Sequence, residues 1–395
     1  MGDGGVQIGF PFHPSIPHPP TPPFQRESFT HGDTLLLGRR KGFLVFKRHG
    51  SSWEVVKAHF PGIPVSYAMV DPRTGVLWAC ADHGHWAQKL YRASHVEADF
   101  EELPAPKYPQ DAVMYDLWDE DSEKPATLSY LWTIVPGGYD QPDTLYIGTE
   151  PGGVFRTDNG GDSFTLVEGL WHHPSRRKNW GGGGRDQAGA CSILVDPRDS
   201  NHLFVGVSLG GVYESVDGGR TWEGRNQGLI AGYLPDPHAE YGHDPHCLAL
   251  CSTQPDVLSQ QNHCGVFQSI DAGRHWTDRS NTDGTVKFGF PIVVDHGNPD
   301  MVWVVPGISH DQRMAVGGAL SVGRTEDGGQ TWTTLRNGLP QTNCYDIVLR
   351  HALDLNGDQP AFGTTTGNVF LSNDRGDTWQ CLGNYFPPIY SVRFA

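Results

Sequence analysis

A motif of eight residues occurs at five places in the chain and constrains the fold more than any other feature. Four copies close on tryptophan: Ser215–Trp222, Ser269–Trp276, Thr325–Trp332 and Ser372–Trp379. The fifth copy, Thr157–Phe164, has asparagine where the others have aspartate. In each copy a Ser or Thr and an Asp or Asn can hydrogen-bond the backbone of a tight turn, and the glycines permit positive φ. Apolar stretches such as Gly211–Tyr213 precede the copies, so each unit is predicted to be strand, turn, strand.

The spacing of the motif predicts the architecture. The aligned Asp or Asn positions, 159, 217, 271, 327 and 374, lie about 47 to 58 residues apart, which suits four-stranded blades. Two further units, Val65–Leu103 and one that begins at Asp33, lack a good copy of the motif. The Asp33 unit has no innermost strand, whereas Ile389–Phe394 is a strand-like segment left over at the C-terminus. We therefore expect an all-β, seven-bladed β-propeller in which the C-terminal strand completes the first blade, since closure removes exposed sheet edges. Six blades remain the alternative.

The motif resembles the Asp-box, or BNR repeat, of sialidases and related β-propellers. At the level of repeats the resemblance covers about residues 33–395, and the chain looks like bacterial BNR-repeat proteins of the glycosyl hydrolase-like type. It implies that the motif joins the third and fourth strands of a blade, on the face away from the pocket. The four motif aspartates, Asp217, Asp271, Asp327 and Asp374, would then fix turns and take no part in catalysis. Sialidases of that superfamily carry an Arg-Ile-Pro segment, which this chain lacks, so sialidase activity is not expected.

Composition limits the partners and the compartment. The formal net charge of −16 argues against nucleic acid, and no run of about 18 apolar residues indicates a membrane partner. The seven cysteines are scattered without a CxxC pair, and no signal peptide is recognisable, which together favour a cytoplasmic location. Residues 1–32 form a Pro-rich arm, and 33–395 are expected to form a single domain. Gly181–Gly184 is not followed by Lys-Ser/Thr, so no nucleotide cofactor is expected.

Histidines give the main functional signal. About nine of the 19 fall on loops that the expected fold gathers on the face opposite the motif: His83, His85, His172, His173, His238, His243, His246, His263 and His310. Imidazoles from neighbouring blades are common ligands of zinc, copper, iron and nickel. One interpretation is therefore a divalent metal site made by His243, His246, His263 and His310. A carboxylate such as Glu150, Asp244 or Asp311 would be a further ligand or would orient one. A metal-free polar pocket is the alternative.

These loops also carry the candidate site residues. Catalytic candidates are His246, His263, Glu150 and Arg39. Substrate-binding candidates are His83, His85, Arg185, Asn262 and Trp180. Arginine binds carboxylates through two hydrogen bonds, and tryptophan stacks on sugars or packs its own loop. We expect an enzyme, hydrolase or lyase, acting on a small, polar, carboxylate-bearing or carbohydrate substrate. Two alternatives stay open: a non-catalytic binding or assembly propeller, and a glycosidase with paired carboxylates such as Glu150 and Asp311.

Overall fold

The chain folds into a ring of seven four-stranded antiparallel sheets, the blades of a β-propeller. The computed structural model describes residues 32–116, 119–182 and 185–395. The predicted all-β class and the count of seven blades are confirmed, and the six-blade alternative is wrong. The Pro-rich arm predicted for residues 1–32 lies, apart from Gly32, outside the described residues. Within the described ranges, no helix is long and apolar enough to cross a membrane.

Each blade runs outward from the centre of the ring, and its strands are called first to fourth in that order. Blade 1 consists of Ile389–Phe394, Thr34–Arg39, Gly42–His49 and Ser52–His59. Blade 2 consists of Val65–Val70, Leu77–Asp82, Gln88–Ala93 and Glu101–Leu103. Blade 3 consists of Tyr130–Pro136, Leu145–Glu150, Val154–Thr157 and Thr165–Leu166. Blade 4 consists of Gly189–Asp196, Asp199–Ser208, Gly211–Ser215 and Glu223–Gly224.

The remaining blades follow the same order. Blade 5 consists of Pro245–Cys251, Gln254–Asn262, Gly265–Ser269 and Thr277–Asp278. Blade 6 consists of Gly289–Val294, Val302–Pro306, Val322–Thr325 and Thr333–Leu335. Blade 7 consists of Leu353–Asn356, Gln359–Gly363, Val369–Leu371 and Gln380–Gly383. A separate hairpin, Val113–Asp116 with Asp119–Pro125, precedes blade 3. The short helices are Gly84–Trp86, Glu168–Trp171, Ser175–Asn179 and Val316–Gly318.

The two ends of the chain close the ring, as the sequence predicted. Ile389–Phe394 pairs antiparallel with Thr34–Arg39, from Leu35 opposite Phe394 to Arg39 opposite Ile389. The first strand of blade 1 also contacts the first strands of blades 2 and 7. Apolar side chains of neighbouring blades pack together, for example the fully buried Trp303 of blade 6 and Phe362 of blade 7. Closure therefore joins the terminal blades by both hydrogen bonding and burial.

The repeated turns join third and fourth strands and are held by their own side chains. In blade 4, Ser215 Oγ donates to Asp217 Oδ1 at 2.8 Å and accepts from the N–H of Gly219 at 2.9 Å. The N–H and hydroxyl of Thr221 donate to the same carboxylate at 2.9 and 2.6 Å. Gly219 has φ +89°, which a residue with a Cβ rarely adopts. The motif aspartate is thus occupied by its own turn.

In two copies of the motif, the closing tryptophan ties its blade to the preceding one. The indole N–H of Trp276 in blade 5 donates to the Arg225 carbonyl beside blade 4 at 2.7 Å, and that of Trp332 donates to Arg279 at 2.7 Å. Because the strands are antiparallel, turns between second and third strands lie on the opposite face. The loops that enter each first strand lie there too. That face holds the candidate site.

Candidate functional site

A cavity of about 230 Å³ opens on the face opposite the repeated turns. Its lining comes from the loops and strand ends of blades 4 to 7 that meet on this face. The lining residues are Gly182, Leu209, Tyr233, Asp244, His246, His263, Phe290, His310, Arg313 and Arg350. The sequence placed three of these, His246, His263 and His310, in one metal site, and the structure brings them together. A larger open cleft of about 510 Å³ lies elsewhere and is lined by, among others, Arg225, His238 and Arg274.

Three side chains in the cavity present potential ligand atoms to a common point. Nε2 of His246 lies 3.2 Å and Nδ1 of His263 lies 3.3 Å from Oδ2 of Asp244. The three ligand atoms all lie within 4.8 Å of one another. Tetrahedral ligands at zinc–nitrogen distances lie about 3.4 Å apart, so the spacing suits a single cation. We call Asp244, His246 and His263 the triad.

Local structure holds the triad in place. Asp244 directly precedes the first strand of blade 5, and His246 is the second residue of that strand. His263 lies in the turn between the second and third strands, and its N–H donates to the carbonyl of Asp244 at 3.0 Å. The other carboxylate oxygen of Asp244 accepts from Ser208 Oγ at 2.7 Å and from the N–H of Leu209 at 3.2 Å. One oxygen is therefore fixed by blade 4 while the other faces the imidazoles.

The hydrogen bonding of His246 leaves a place for a cation. Its Nδ1 lies 2.6 Å from the carbonyl oxygen of Gly289, an acceptor, so Nδ1 carries the proton. In the neutral ring Nε2 then presents a lone pair towards the Asp244 carboxylate. Two facing acceptors at 3.2 Å repel each other unless a proton or a metal ion lies between them. Metal-binding histidines commonly donate their other N–H to a backbone carbonyl, as here.

The charge states follow from burial and neighbours. Burial lowers the pKa of His246, although Asp244 opposes this, so the imidazole is neutral near pH 7. Burial acts to raise the pKa of Asp244, but the neighbouring His246 and His263 and the charge of Arg350 hold it well below its usual value. A carboxylate and a neutral imidazole are the forms in which these side chains bind metals.

Two predicted ligands lie outside the triad. His310 is exposed, and its ring centroid lies 5.0 Å from that of His263 across the cavity. His243 is fully buried, and its Nε2 lies 2.7 Å from the carbonyl oxygen of Ala239. This contact ties His243 to its own loop, and it does not line the cavity. The described residues place Asp244, one of the carboxylates suggested from sequence, beside His246 and His263 instead.

Glu150 and Arg185 form a second polar cluster on blade 3. Glu150 is buried, and one carboxylate oxygen lies 2.6 Å from Nε of Arg185. The guanidinium of Arg185 lies over the ring of Tyr130, 4.3 Å from its centroid. Burial raises the pKa of Glu150 despite Arg185. Asp311 belongs to blade 6, is exposed and bonds Ser309 Oγ at 2.5 Å, so the paired carboxylates considered from sequence belong to different blades.

The other candidate residues have structural contacts of their own. Arg39 lies over Phe386, 5.7 Å from the ring centroid, and burial lowers its pKa. His83 shares a 3.0 Å hydrogen bond with the hydroxyl of Tyr91, and His85 is exposed. Asn262 is buried, donates to Gln260 at 3.1 Å and accepts from the N–H of Cys264 at 3.1 Å.

Trp180 is buried and donates its indole N–H to the hydroxyl of Tyr213 at 2.6 Å. Of the two sequence interpretations of Trp180, these contacts favour packing of its own loop. Gly183 and Gly184, part of the glycine run beside it, lie outside the described residues.

Sequence reasoning missed Arg350. It precedes the first strand of blade 7, as Asp244 precedes that of blade 5, and it is buried against the cavity. Its guanidinium lies over the rings of Trp132 and Phe290, 5.1 and 5.3 Å from the ring centroids. The signal in the sequence is its position: Arg350 lies on a loop that enters a first strand, the same kind of loop that carries Asp244.

Comparison with known proteins supports the fold. No protein-family model matches the chain, and no curated protein matches it in sequence. A putative 6-phosphogluconolactonase from Bacteroides uniformis is similar over 92% of this chain and 100% of its own, with TM-score 0.53 and 12% identity. YCF48 from Cyanidioschyzon merolae is similar over 86% of this chain and 95% of its own length, with TM-score 0.50 and 14% identity.

An ancestral GH74 enzyme is similar over 84% of this chain, with TM-score 0.51 and 13% identity. The chain spans only 38% of the length of that enzyme. At these identities the comparisons show the propeller fold alone.

Proposed function

We propose that the protein is a metal-dependent enzyme of the hydrolase or lyase class, with its active site in the triad cavity. The observation that carries the proposal is the convergence of Asp244 Oδ2, His246 Nε2 and His263 Nδ1, with His246 oriented by the Gly289 carbonyl. Two imidazoles and a carboxylate leave open positions on a zinc or iron ion. A divalent cation in such a site polarises a substrate oxygen or lowers the pKa of water.

The chain's own residues supply the remaining functions. His310 is exposed beside His263, and this placement suits proton transfer to or from a substrate. Phe290 and Tyr233 form apolar walls of the cavity, which limit water around the reacting groups. A cavity of about 230 Å³ suits a small ligand, since drug-sized ligands occupy about 300–1,000 Å³.

The test is metal analysis followed by calorimetric titration of the metal-free protein with zinc. We expect about one ion per chain, and at least a tenfold loss of zinc affinity in Asp244→Asn and in His263→Ala. His275→Ala is the matched control, because His275 is an exposed histidine on a repeated turn of the opposite face. Equal zinc binding by all four proteins would contradict the proposal.

A further inference from the structure

We propose that Arg350 binds the carboxylate of the substrate, so that the triad cavity selects small carboxylates with an oxygen or nitrogen donor on the adjacent carbon. The requirement for an oxygen or nitrogen donor on the carbon next to the carboxylate rests on the proposed metal function. The assignment of Arg350 rests on the surroundings of its own side chain.

Arg350 is a buried cation that makes no direct ion pair among the described residues, although its charge acts on the nearby Asp244 carboxylate. It is 6% exposed. Its Nη2 donates to Ser208 Oγ at 3.3 Å, while its buried Nε has no hydrogen-bond partner among the described residues. Within residues 32–116, 119–182 and 185–395, no carboxylate lies within 4.0 Å of the guanidinium. Since a buried charge is costly unless it is paired, an anionic ligand would supply the missing partner.

The donor pattern of the guanidinium suits a planar anion. The rings of Trp132 and Phe290 lie against it at 5.1 and 5.3 Å from their centroids. These rings supply no carbonyl or carboxylate acceptor, so the Nε edge of the guanidinium keeps capacity to donate hydrogen bonds. Along that edge Nε–H and Nη2–H point in nearly the same direction, which matches the two oxygens of a carboxylate.

Ser208 connects this arginine to the triad. Its hydroxyl donates to Oδ1 of Asp244 at 2.7 Å and accepts from Arg350, so the guanidinium is two hydrogen bonds away from the triad carboxylate. A carboxylate held by Arg350 therefore places its neighbouring substituent next to the triad. Arg313 adds a second positive charge to the lining, in a chain whose net charge is −16. The cavity thus attracts anions although the protein as a whole repels them.

The experiment is calorimetric titration of the zinc-loaded and metal-free protein with glycolate, its neutral amide glycolamide, and inorganic phosphate. We expect glycolate to bind at least tenfold more tightly than glycolamide, since hydrogen bonds to charged groups are the strong ones. Arg350→Met should remove this preference, and Arg350→Lys should retain only part of it because it keeps the charge but loses the paired donors. Arg220→Met, at an exposed arginine of a repeated turn, is the control.

The outcomes separate this inference from the metal proposal. Suppose that the protein binds no zinc, but binds glycolate and loses this binding in Arg350→Met. This result would support the assignment of Arg350 and contradict the metal site. Zinc binding without preference for glycolate over glycolamide would overturn the arginine assignment. Arg350→Lys keeps the positive charge, so its partial loss of the glycolate preference tests the paired donors even if Arg350→Met does not fold. Tighter binding of phosphate than of glycolate would also overturn the choice of a carboxylate.

Discussion

At the scale of single residues, the polar groups beneath the cavity are held by hydrogen bonds, whereas Nε of the buried Arg350 has no hydrogen-bond partner among the described residues. His351, the next residue, is buried, and its Nε2–H donates to the carbonyl of Cys191 at 2.8 Å. Arg393, which is half-buried, donates to the hydroxyl of Tyr67 at 3.0 Å and to the carbonyl of His351 at 2.8 Å. These groups anchor blade 7 to blades 1, 2 and 4.

His351 predicts a specific acid sensitivity of the fold. Burial, together with the charge of Arg393, brings the pKa of His351 to about 3, against about 6.5 in the unfolded chain. Between these values the unfolded chain binds a proton that the folded chain does not. The stabilisation is therefore complete above pH 6.5 and decreases as the pH falls towards 3. Its size between pH 7 and pH 4 is about 3 kcal/mol in the free energy of unfolding.

The measurement is denaturant unfolding of the protein and of His351→Gln at pH 7 and pH 4. The variant keeps an N–H donor but cannot titrate, so its loss of stability between the two pH values should be smaller by about 3 kcal/mol. His275→Gln, at an exposed histidine, controls for the removal of one imidazole. An identical pH dependence in all three proteins would show that His351 is not the group responsible.

At the scale of elements, the repeated turn offers an internal comparison of a charged and a neutral side chain. Asp217 accepts from Ser215 and from two donors of Thr221, and the Thr221 hydrogen bonds bring its pKa to about 2. In blade 3, Asn159 makes the corresponding contacts through an amide: its oxygen accepts from Thr157 at 2.8 Å, and its Nδ2 donates to Ser163 at 2.9 Å. Charge-assisted hydrogen bonds are about twice as strong as neutral ones.

We therefore expect Asp217→Ala to destabilise the protein by about 1–2 kcal/mol, and Asn159→Ala by less. Thermal unfolding near pH 7, followed by calorimetry, would compare the two variants. Metal and glycolate binding should not change in either, because both turns lie on the face opposite the cavity. A larger loss in Asn159→Ala would mean that charge is not what strengthens the aspartate turns.

Elements were predictable where a local pattern specifies them. Ser215, Asp217 and Gly219 lie within one turn, so their roles could be worked out from spacing alone. The face that carries the cavity could also be predicted, because alternating strand directions place His246, His263 and His310 together. The orientation of single side chains could not be predicted. His243 and Asp244 are sequence neighbours, yet a contact with Ala239 draws His243 away while Ser208 positions Asp244.

At the scale of the whole molecule, ring closure could be predicted. The first blade lacks an innermost strand, and the C-terminal segment is a strand that belongs to no other blade. The assembly of the cavity from four blades could not be predicted. Arg350 acquires its environment from Trp132 of blade 3, Ser208 of blade 4 and Phe290 of blade 6. The local sequence around Arg350 does not predict those contacts, since its neighbours come from sequence positions about 60 to 220 residues away.

Closure also predicts that the last strand stabilises the whole ring. Ile389–Phe394 contributes the fully buried side chains of Ile389 and Val392 and covers the edge of Thr34–Arg39. Removal of residues 389–395 exposes that edge and the adjoining core of blades 1 and 7, so we expect a lower unfolding temperature and aggregation through the open edge. Light scattering and calorimetry would measure both.

Val392→Asp should act in the same direction without shortening the chain. Val55→Asp, at an exposed position of the fourth strand of blade 1, is the control and should have little effect. A truncated chain that stays monomeric with an unchanged unfolding temperature would show that the ring is stable without its closing strand.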